Sequence, residues 1–347
     1  MSKPTRNSVN KRRMVLFSIL LAAVILLIVG CSNQGNDSKS NTASGGDKAA
    51  ASGAPVKVNI AINGKISPLS IAKEKGWFEE EFKKQNAEVK WSEFPSGPPL
   101  LEALSAGRVD LSFLGDGAVI SGIANHLPFE VISLISEGKG SVSILVPPNS
   151  PIQKIEDLKG KTVGATKGTV GHVYLIKVLK SRGLTLADVN VINLQPDDGQ
   201  AAFDSGKLDA WVVWDPYATI NVAAKKARVL PIDHPILAPN SMIAHTEFAK
   251  EHPELVITYL RVFKKATDWE TAHLDESAQI FSEKTKVPVD TIKTIVGKNK
   301  PILSPYTQDA LDEQQLTSEV LLENGFIKNK ITFKDAVNDT FIKEALK

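Results

Sequence analysis

Two distant stretches of the chain carry one pattern. The first reads Ala106-Gly107-Arg108-Val109-Asp110-Leu111-Ser112-Phe113-Leu114-Gly115-Asp116, and the second Ser205-Gly206-Lys207-Leu208-Asp209-Ala210-Trp211-Val212-Val213-Trp214-Asp215. In each, a small residue and a glycine end a helical run, a basic residue follows, and a short apolar strand runs into Asp. The simplest physical source is a pair of lobes built alike, each sending one strand end toward a common point. Two such lobes facing each other enclose a cleft, the usual seat of a small molecule.

The N-terminal residues stand apart from this pattern. Lys11-Arg12-Arg13 precedes an apolar run from Met14 to Val29, short for a membrane span and suited to a signal peptide. The run closes on Ile28-Val29-Gly30-Cys31, which resembles the lipobox of bacterial lipoproteins. Cys31 is the only cysteine, so no disulfide framework accounts for it. Acyl chains on its sulfur would hold the protein at the outer face of a membrane. Ser32 to Ala54 is too polar to offset its chain entropy by burial, which predicts a flexible tether over 31–55. Five of the 41 basic residues fall in residues 1–30 and none of the 39 acidic ones does, so the mature chain has 36 against 39 and a charge of −3. No basic stripe interleaved with aromatics is present, and nucleic acid is excluded as a partner. The remaining ~290 residues exceed an ordinary single core and suit two lobes.

Strand and helix patterns then alternate. Val56 to Asn63 reads as a strand, Pro68 to Lys75 as a helix stopped by Gly76, Val89 to Phe94 as a strand, and Pro98 to Ala106 as a helix stopped by Gly107. Val109 to Leu114, Phe129 to Ser136, Val142 to Val146, Thr162 to Ala165, Val189 to Leu194, Leu208 to Val213 and Val229 to Ile232 follow as strands. Helical patterns fill the tail over Pro253–Thr271, Ser277–Lys284, Val289–Val296 and Thr307–Asn324. The alternation argues for an α/β protein with mostly parallel strands. The expected organisation is signal peptide 1–30, tether 31–55, a first lobe from 56–141 and 241–347, and a second lobe from 142–240. A chain that leaves a lobe and returns to it makes two crossings, the topology of a hinge.

The strongest local signal is Lys167-Gly168-Thr169-Val170-Gly171-His172, between a predicted strand and a predicted helix. Free N–H groups at a helix start attract anions, and glycines let a ligand approach the backbone. Thr169 is placed to cap the helix or to donate to an oxyanion, and Lys167 and His172 add positive character. An ordinary βα turn with a Thr cap would read the same way. First-lobe counterparts are Ser96-Gly97 before the Pro98 helix and Gly64-Lys65-Ile66-Ser67 before the Pro68 helix, with simple capping as the alternative. Asp116, after Gly115, and Asp215 follow their strands and precede helices; they read as N-caps, or as partners for the amine of a zwitterion. Trp214 and Tyr217 offer an apolar wall, whereas Trp211 reads as core.

Enzyme signatures are missing. Gly160-Lys161-Thr162 ends like a P-loop, but Ile155 stands where the first Gly is required, and Gly164, Gly168 and Gly171 lack dinucleotide spacing. The six His show no metal spacing, no Gly-x-Ser-x-Gly elbow occurs, and the one thiol is placed for lipid. No catalytic residue, metal or cofactor is expected.

Several of these pieces, taken together, closely resemble the aliphatic sulfonate-binding proteins of ABC importers. They are Phe94-Pro95-Ser96-Gly97-Pro98, Leu101-Glu102-Ala103-Leu104, Val109-Asp110-Leu111 with Gly115-Asp116, Asp157-Leu158-Lys159-Gly160, Lys167-Gly168-Thr169, Ala201-Ala202-Phe203 and Asp209-Ala210-Trp211-Val212-Val213-Trp214-Asp215-Pro216-Tyr217. The resemblance implies a two-lobed periplasmic binding protein type II fold, each lobe a mixed sheet flanked by helices, with a small anionic solute enclosed between them. It implies a monomeric receptor, anchored by lipid outside the cytoplasmic membrane, that hands its solute to the transmembrane subunits of an ABC permease. The wider group binds taurine, nitrate and thiamine precursors, so nitrate, bicarbonate or a pyrimidine precursor is the rival ligand. A desulfinase-like enzyme on the same fold is the rival of another class. Two departures touch the anion cradle: Thr169-Val170-Gly171 stands where the family often has serines, and Asn63-Gly64-Lys65-Ile66-Ser67 where it often has an aromatic and Gly-Ser.

Overall fold

The computed structural model describes residues 53–347 apart from His234, Asn299 and Lys300. The signal peptide, Cys31 and nearly all of the tether lie outside the described residues.

Two five-stranded sheets organise the chain. The first contains β1 (Val56–Asn63), β2 (Ala87–Phe94), β3 (Leu111–Gly115), β4 (Phe129–Ser136) and β10 (Asn240–His245), in the order β2-β1-β3-β10-β4. The second contains β5 (Val142–Val146), β6 (Thr162–Ala165), β7 (Asn190–Asn193), β8 (Ala210–Trp214) and β9 (Arg228–Val229), in the order β7-β6-β8-β5-β9. In each, three parallel strands are followed by one antiparallel strand with neighbours on both sides, β10 or β5. Each sheet is thus mixed, as the resemblance implies, with one strand running against the others because each lobe admits one strand entering from the other.

Alternation along the strands explains the layering. Val58, Ile60 and Ile62 of β1 join a core with α1 (Pro68–Glu74), α2 (Trp77–Lys83), α9 (Pro253–Ala272) and α13 (Thr340–Ala345). Ala61 points the other way, into a core with α3 (Gly97–Ser105), α4 (Asp116–Ala124) and α12 (Gln308–Glu323). In the second sheet, Ile144 and Val212 face α5 (Val170–Lys180), while Leu145, Trp211 and Val213 face α6 (Pro196–Asp204) and α7 (Tyr217–Ala223). Trp211 is core, as its pattern suggests. Helices α10 (Leu274–Thr285) and α11 (Val289–Lys298) pack on α1 through Ile71, Phe281 and Ile292. Three short helices, α2, α8 (Thr246–Glu251) and α13, are not foreseen. At six or seven residues each shows too little of the 3.6-residue period to be distinguished from a loop.

The repeated motif has one physical cause in both lobes. Gly107 and Gly206 adopt φ of +66° and +70° and close the ends of α3 and α6. The Arg108 and Lys207 N–H groups then donate back to Ala103 and Ala202. One residue before β3, Asp110 accepts the Asn59 N–H at 2.7 Å; before β8, Asp209 accepts the Thr162 N–H at 2.8 Å. Each Asp thus ties the start of its strand to the neighbouring parallel strand. β3 and β8 then run to Gly115 and to Trp214-Asp215.

Candidate ligand-binding site

The ends of β3 and β8 meet at a cavity between the lobes. It encloses about 1200 Å³, counting its open mouth. Helices start around it because the carboxyl ends of the parallel strands point there, the usual position of ligands in α/β sheets. Ser67 precedes α1, Gly97 opens α3, Gly115 precedes α4, and Thr169 and Val170 begin α5; all five line the cavity. The N–H of Gly97 at the start of α3, where Pro98 and Pro99 carry none, and the first N–H groups of α4 and α5 have no carbonyl four residues back to accept them. They form a polar cradle with the positive ends of the helix dipoles behind it.

The lobes touch at this cradle. A side-chain carbon added to Gly115 would lie 3.3 Å from Val170, and one on Gly117 would lie 2.8 Å from the Thr169 carbonyl. Gly168 takes φ +77°, and a carbon there would meet Phe326 at 3.1 Å and Pro98 at 3.4 Å. Glycine at 115, 117 and 168 is therefore what lets the two helix starts converge.

Nine of the sixteen candidates line the cavity: Gly64, Lys65, Ser67, Gly97, Gly115, Thr169, Val170, Trp214 and Asp215. The other seven lie beside it or behind it. The buried Ser96 hydroxyl donates to Gln195 of the opposite lobe at 2.8 Å. The Tyr217 hydroxyl donates to Asp197 at 2.5 Å, and burial raises its pKa. Lys65 reaches the same carboxylate at 3.0 Å and lies over the Tyr217 ring, so these three residues bridge the lobes at the rim. Lys167 is exposed, and Gly171 packs near the Trp214 ring.

His172 corrects an expectation. It is buried, its ring sits edge-on to Phe326, and its Nδ1 accepts the Gly168 N–H at 3.4 Å. Burial lowers its pKa to about 4, with Lys167 adding to the shift, so it is neutral at pH 7 and supplies no positive charge. Thr169 is corrected in detail too. Its hydroxyl neither caps α5 nor faces an incoming oxyanion with its proton, but donates to the Thr166 carbonyl at 2.7 Å. The α5 amides remain as the donors.

Both aspartates serve helix starts. Asp116 accepts the Gly117 N–H at 2.6 Å, is fully buried, and has its pKa raised to about 6 by desolvation. Asp215 accepts the Thr219 N–H at 2.9 Å while lining the cavity. Behind Asp116, Lys177 of α5 pairs with Glu313 of α12 at 2.5 Å and donates to Thr317 at 2.6 Å, a largely buried link between the lobes.

Asn63 and Ile66 belong to the predicted turn Asn63-Gly64-Lys65-Ile66-Ser67; the walls outside the expected set are Pro68, Phe113, Ala118, Ile135, Ser136, Ser141, Asn240, Phe263, Glu270, Ile295, Val296 and Pro301. Phe113, Ile135, Phe263, Ile295 and Val296 give the cavity apolar wall, with Asn63, Ser136, Ser141, Asn240 and Glu270 as polar groups among them. Among the described residues no His or Cys lines it, and no group of three His, Cys, Asp or Glu is placed to hold a metal.

Two lobes of matched topology around such a cavity define a solute-binding protein of the periplasmic type II class. The family described as NMT1/THI5 like matches residues 63–277. A Bacillus subtilis (strain 168) protein named for aliphatic sulfonates binding is 38% identical over 330 residues, covering 94% of this chain and 96% of its own. Among solved structures, the alkanesulfonate-binding protein SsuA of Xanthomonas axonopodis bound to MOPS superposes with a TM-score of 0.77 at 24% identity, over 83% of this chain and 99% of that one. The periplasmic aliphatic sulphonate binding protein SsuA of Escherichia coli gives 0.72 at 26%, over 82% and 92%. The chain belongs to the sulfonate- and taurine-binding family of solute-binding proteins that serve ABC importers. These relatives are named as binding proteins, and the chain is read as one.

Proposed function

We propose that this protein captures an aliphatic sulfonate from outside the cytoplasmic membrane and delivers it to an ABC permease. The observation that carries the reading is the composition of the cavity. One part is rimmed by helix-start amides of α3, α4 and α5, which suit an anionic head; the rest is walled by Phe113, Ile135, Phe263, Ile295 and Trp214, which suit a carbon chain. A nitrate or bicarbonate ion would leave those apolar walls without a partner. Capture proceeds by closure about the two crossings, and the solute favours the closed state by its greater affinity for it. Lipid on Cys31 keeps the receptor beside its permease.

The test is a melting-temperature series with alkanesulfonates, nitrate, bicarbonate and pyrimidine precursors. A solute that binds only the folded state raises the melting point. Sulfonates should raise it and nitrate should not. A rise with nitrate or a pyrimidine and none with any sulfonate refutes the reading.

A further inference from the structure

Glu270 stands out among the cavity walls. It is only 4% exposed, yet its carboxylate makes no hydrogen bond or ion pair among the described residues. It lies on the buried stripe of α9, one turn beyond Ala266 and two beyond Phe263, so the helix directs it inward with the core side chains. Burial pushes its pKa up to about 7, and among the described residues no cation offsets this. A buried carboxylate without a partner is costly and calls for one.

The charge of the walls points the same way. Among the described residues three charged side chains line the cavity: Lys65, Asp215 and Glu270. Lys65 is engaged with Asp197 at the rim, and Asp215 accepts from Thr219. A solute that is only an anion would enter a cavity with two carboxylates and gain nothing from Glu270. The same cavity is lined by Phe263 of α9, by Ile66 and Ser67 before α1, and by Ile295 and Val296 of α11.

We infer that Glu270 is a specificity-determining residue that receives a protonated nitrogen, so that the solute is a zwitterion with a sulfonate at one end and an ammonium group at the other. The inference rests on the sulfonate reading above and narrows it. The ammonium gives the carboxylate its missing partner, and the carbon chain between the two charges fits the apolar walls. A charge-assisted hydrogen bond in such a site is worth roughly tenfold or more in affinity.

The test is calorimetric titration of the full mature chain with chain-matched pairs, a straight alkanesulfonate and its ω-amino counterpart. It is run on the wild type, Glu270→Gln and Glu270→Leu, with melting curves to establish folding. The wild type should prefer the amino compound by about tenfold or more. Glu270→Leu should reverse the preference, and Glu270→Gln should reduce it. Equal binding of the pair by the wild type, or a preference that survives both substitutions, overturns this inference and leaves the sulfonate reading standing. Binding of neither sulfonate overturns both.

Discussion

Gly117 offers a way to separate closure from contact with the solute. It does not line the cavity. A methyl group there would lie 2.8 Å from the Thr169 carbonyl oxygen, 2.9 Å from Val173 Cγ2 and 3.0 Å from the Thr169 carbonyl carbon, all on the opposite lobe. Two of the three are backbone atoms at the start of α5, which cannot move aside as a flexible side chain does. Gly117→Ala therefore acts as a wedge. Overpacking of this kind costs about 1–3 kcal/mol where the surroundings are fixed. Here separating the lobes relieves it, so the cost falls mainly on the closed state and appears as weaker binding. By population shift, about 1–3 kcal/mol corresponds to roughly 5- to 150-fold in affinity. Gly122→Ala is the matched control: its methyl would press on Phe129 Cε1 at 2.5 Å, inside one lobe. The assay is calorimetry with a tight-binding sulfonate, paired with melting of the ligand-free protein. Gly117→Ala should weaken binding within that range and Gly122→Ala should lower the melting point with affinity changed less than about twofold. If Gly117→Ala lowers the melting point and leaves affinity intact, the wedge is absorbed within a lobe and the reasoning is refuted.

Burial raises the Glu270 pKa from 4.5 to about 7, so between those values the folded chain keeps a proton that the unfolded chain releases. Stability from this group is full below pH 4.5 and falls by on the order of 3 kcal/mol as pH rises through 7. The melting-point difference between Glu270→Gln and the wild type should therefore grow in favour of the variant from pH 4.5 to 8; a constant difference counts against the burial argument. The Lys65–Asp197 pair is exposed, at 52% and 70% of its side chains, and Asp197→Ala should change stability by less than about 1 kcal/mol. Glu313→Ala leaves Lys177, 9% exposed, without its anion and should cost about 3 kcal/mol in urea unfolding; similar effects for the two variants would contradict this ranking. Cys31→Ser should move the protein from the membrane fraction to the soluble one; retention through an uncleaved segment would defeat the lipoprotein reading.

The parts of the fold legible in the sequence are those with local causes. Glycine at the ends of α3 and α6 followed by Asp110 and Asp209 is readable because the helix stop and the strand tie lie within a few residues of each other. The cavity was legible where it is built from helix starts, at Gly97, Gly115, Thr169 and Val170. Its apolar walls were not, because Phe113, Ile135 and Phe263 have the periodicity of core and nothing local separates a wall from a core position. Glu270 did leave a trace: it continues the apolar stripe of Tyr259, Phe263 and Ala266, where a solvated face would be expected to carry the charge. Ser96 and Lys65 have partners across the cleft, Gln195 and Asp197, and Tyr217 has Asp197 within its own lobe, which no local pattern announces.

The two crossings leave from edge strands, β4 and β9, and arrive at inner strands, β5 and β10. An inner strand is bonded along both sides and cannot be peeled away to absorb a swing of the lobe. Rotation must then be taken up in the short connections themselves, where the Ala238 N–H already holds the Glu137 carbonyl at 3.0 Å and Gly138 leaves no room for a side chain. The ease with which the jaws part is thus set by a few peptide units at the back. Chemistry there can tune how long a guest is kept without altering which guest is chosen.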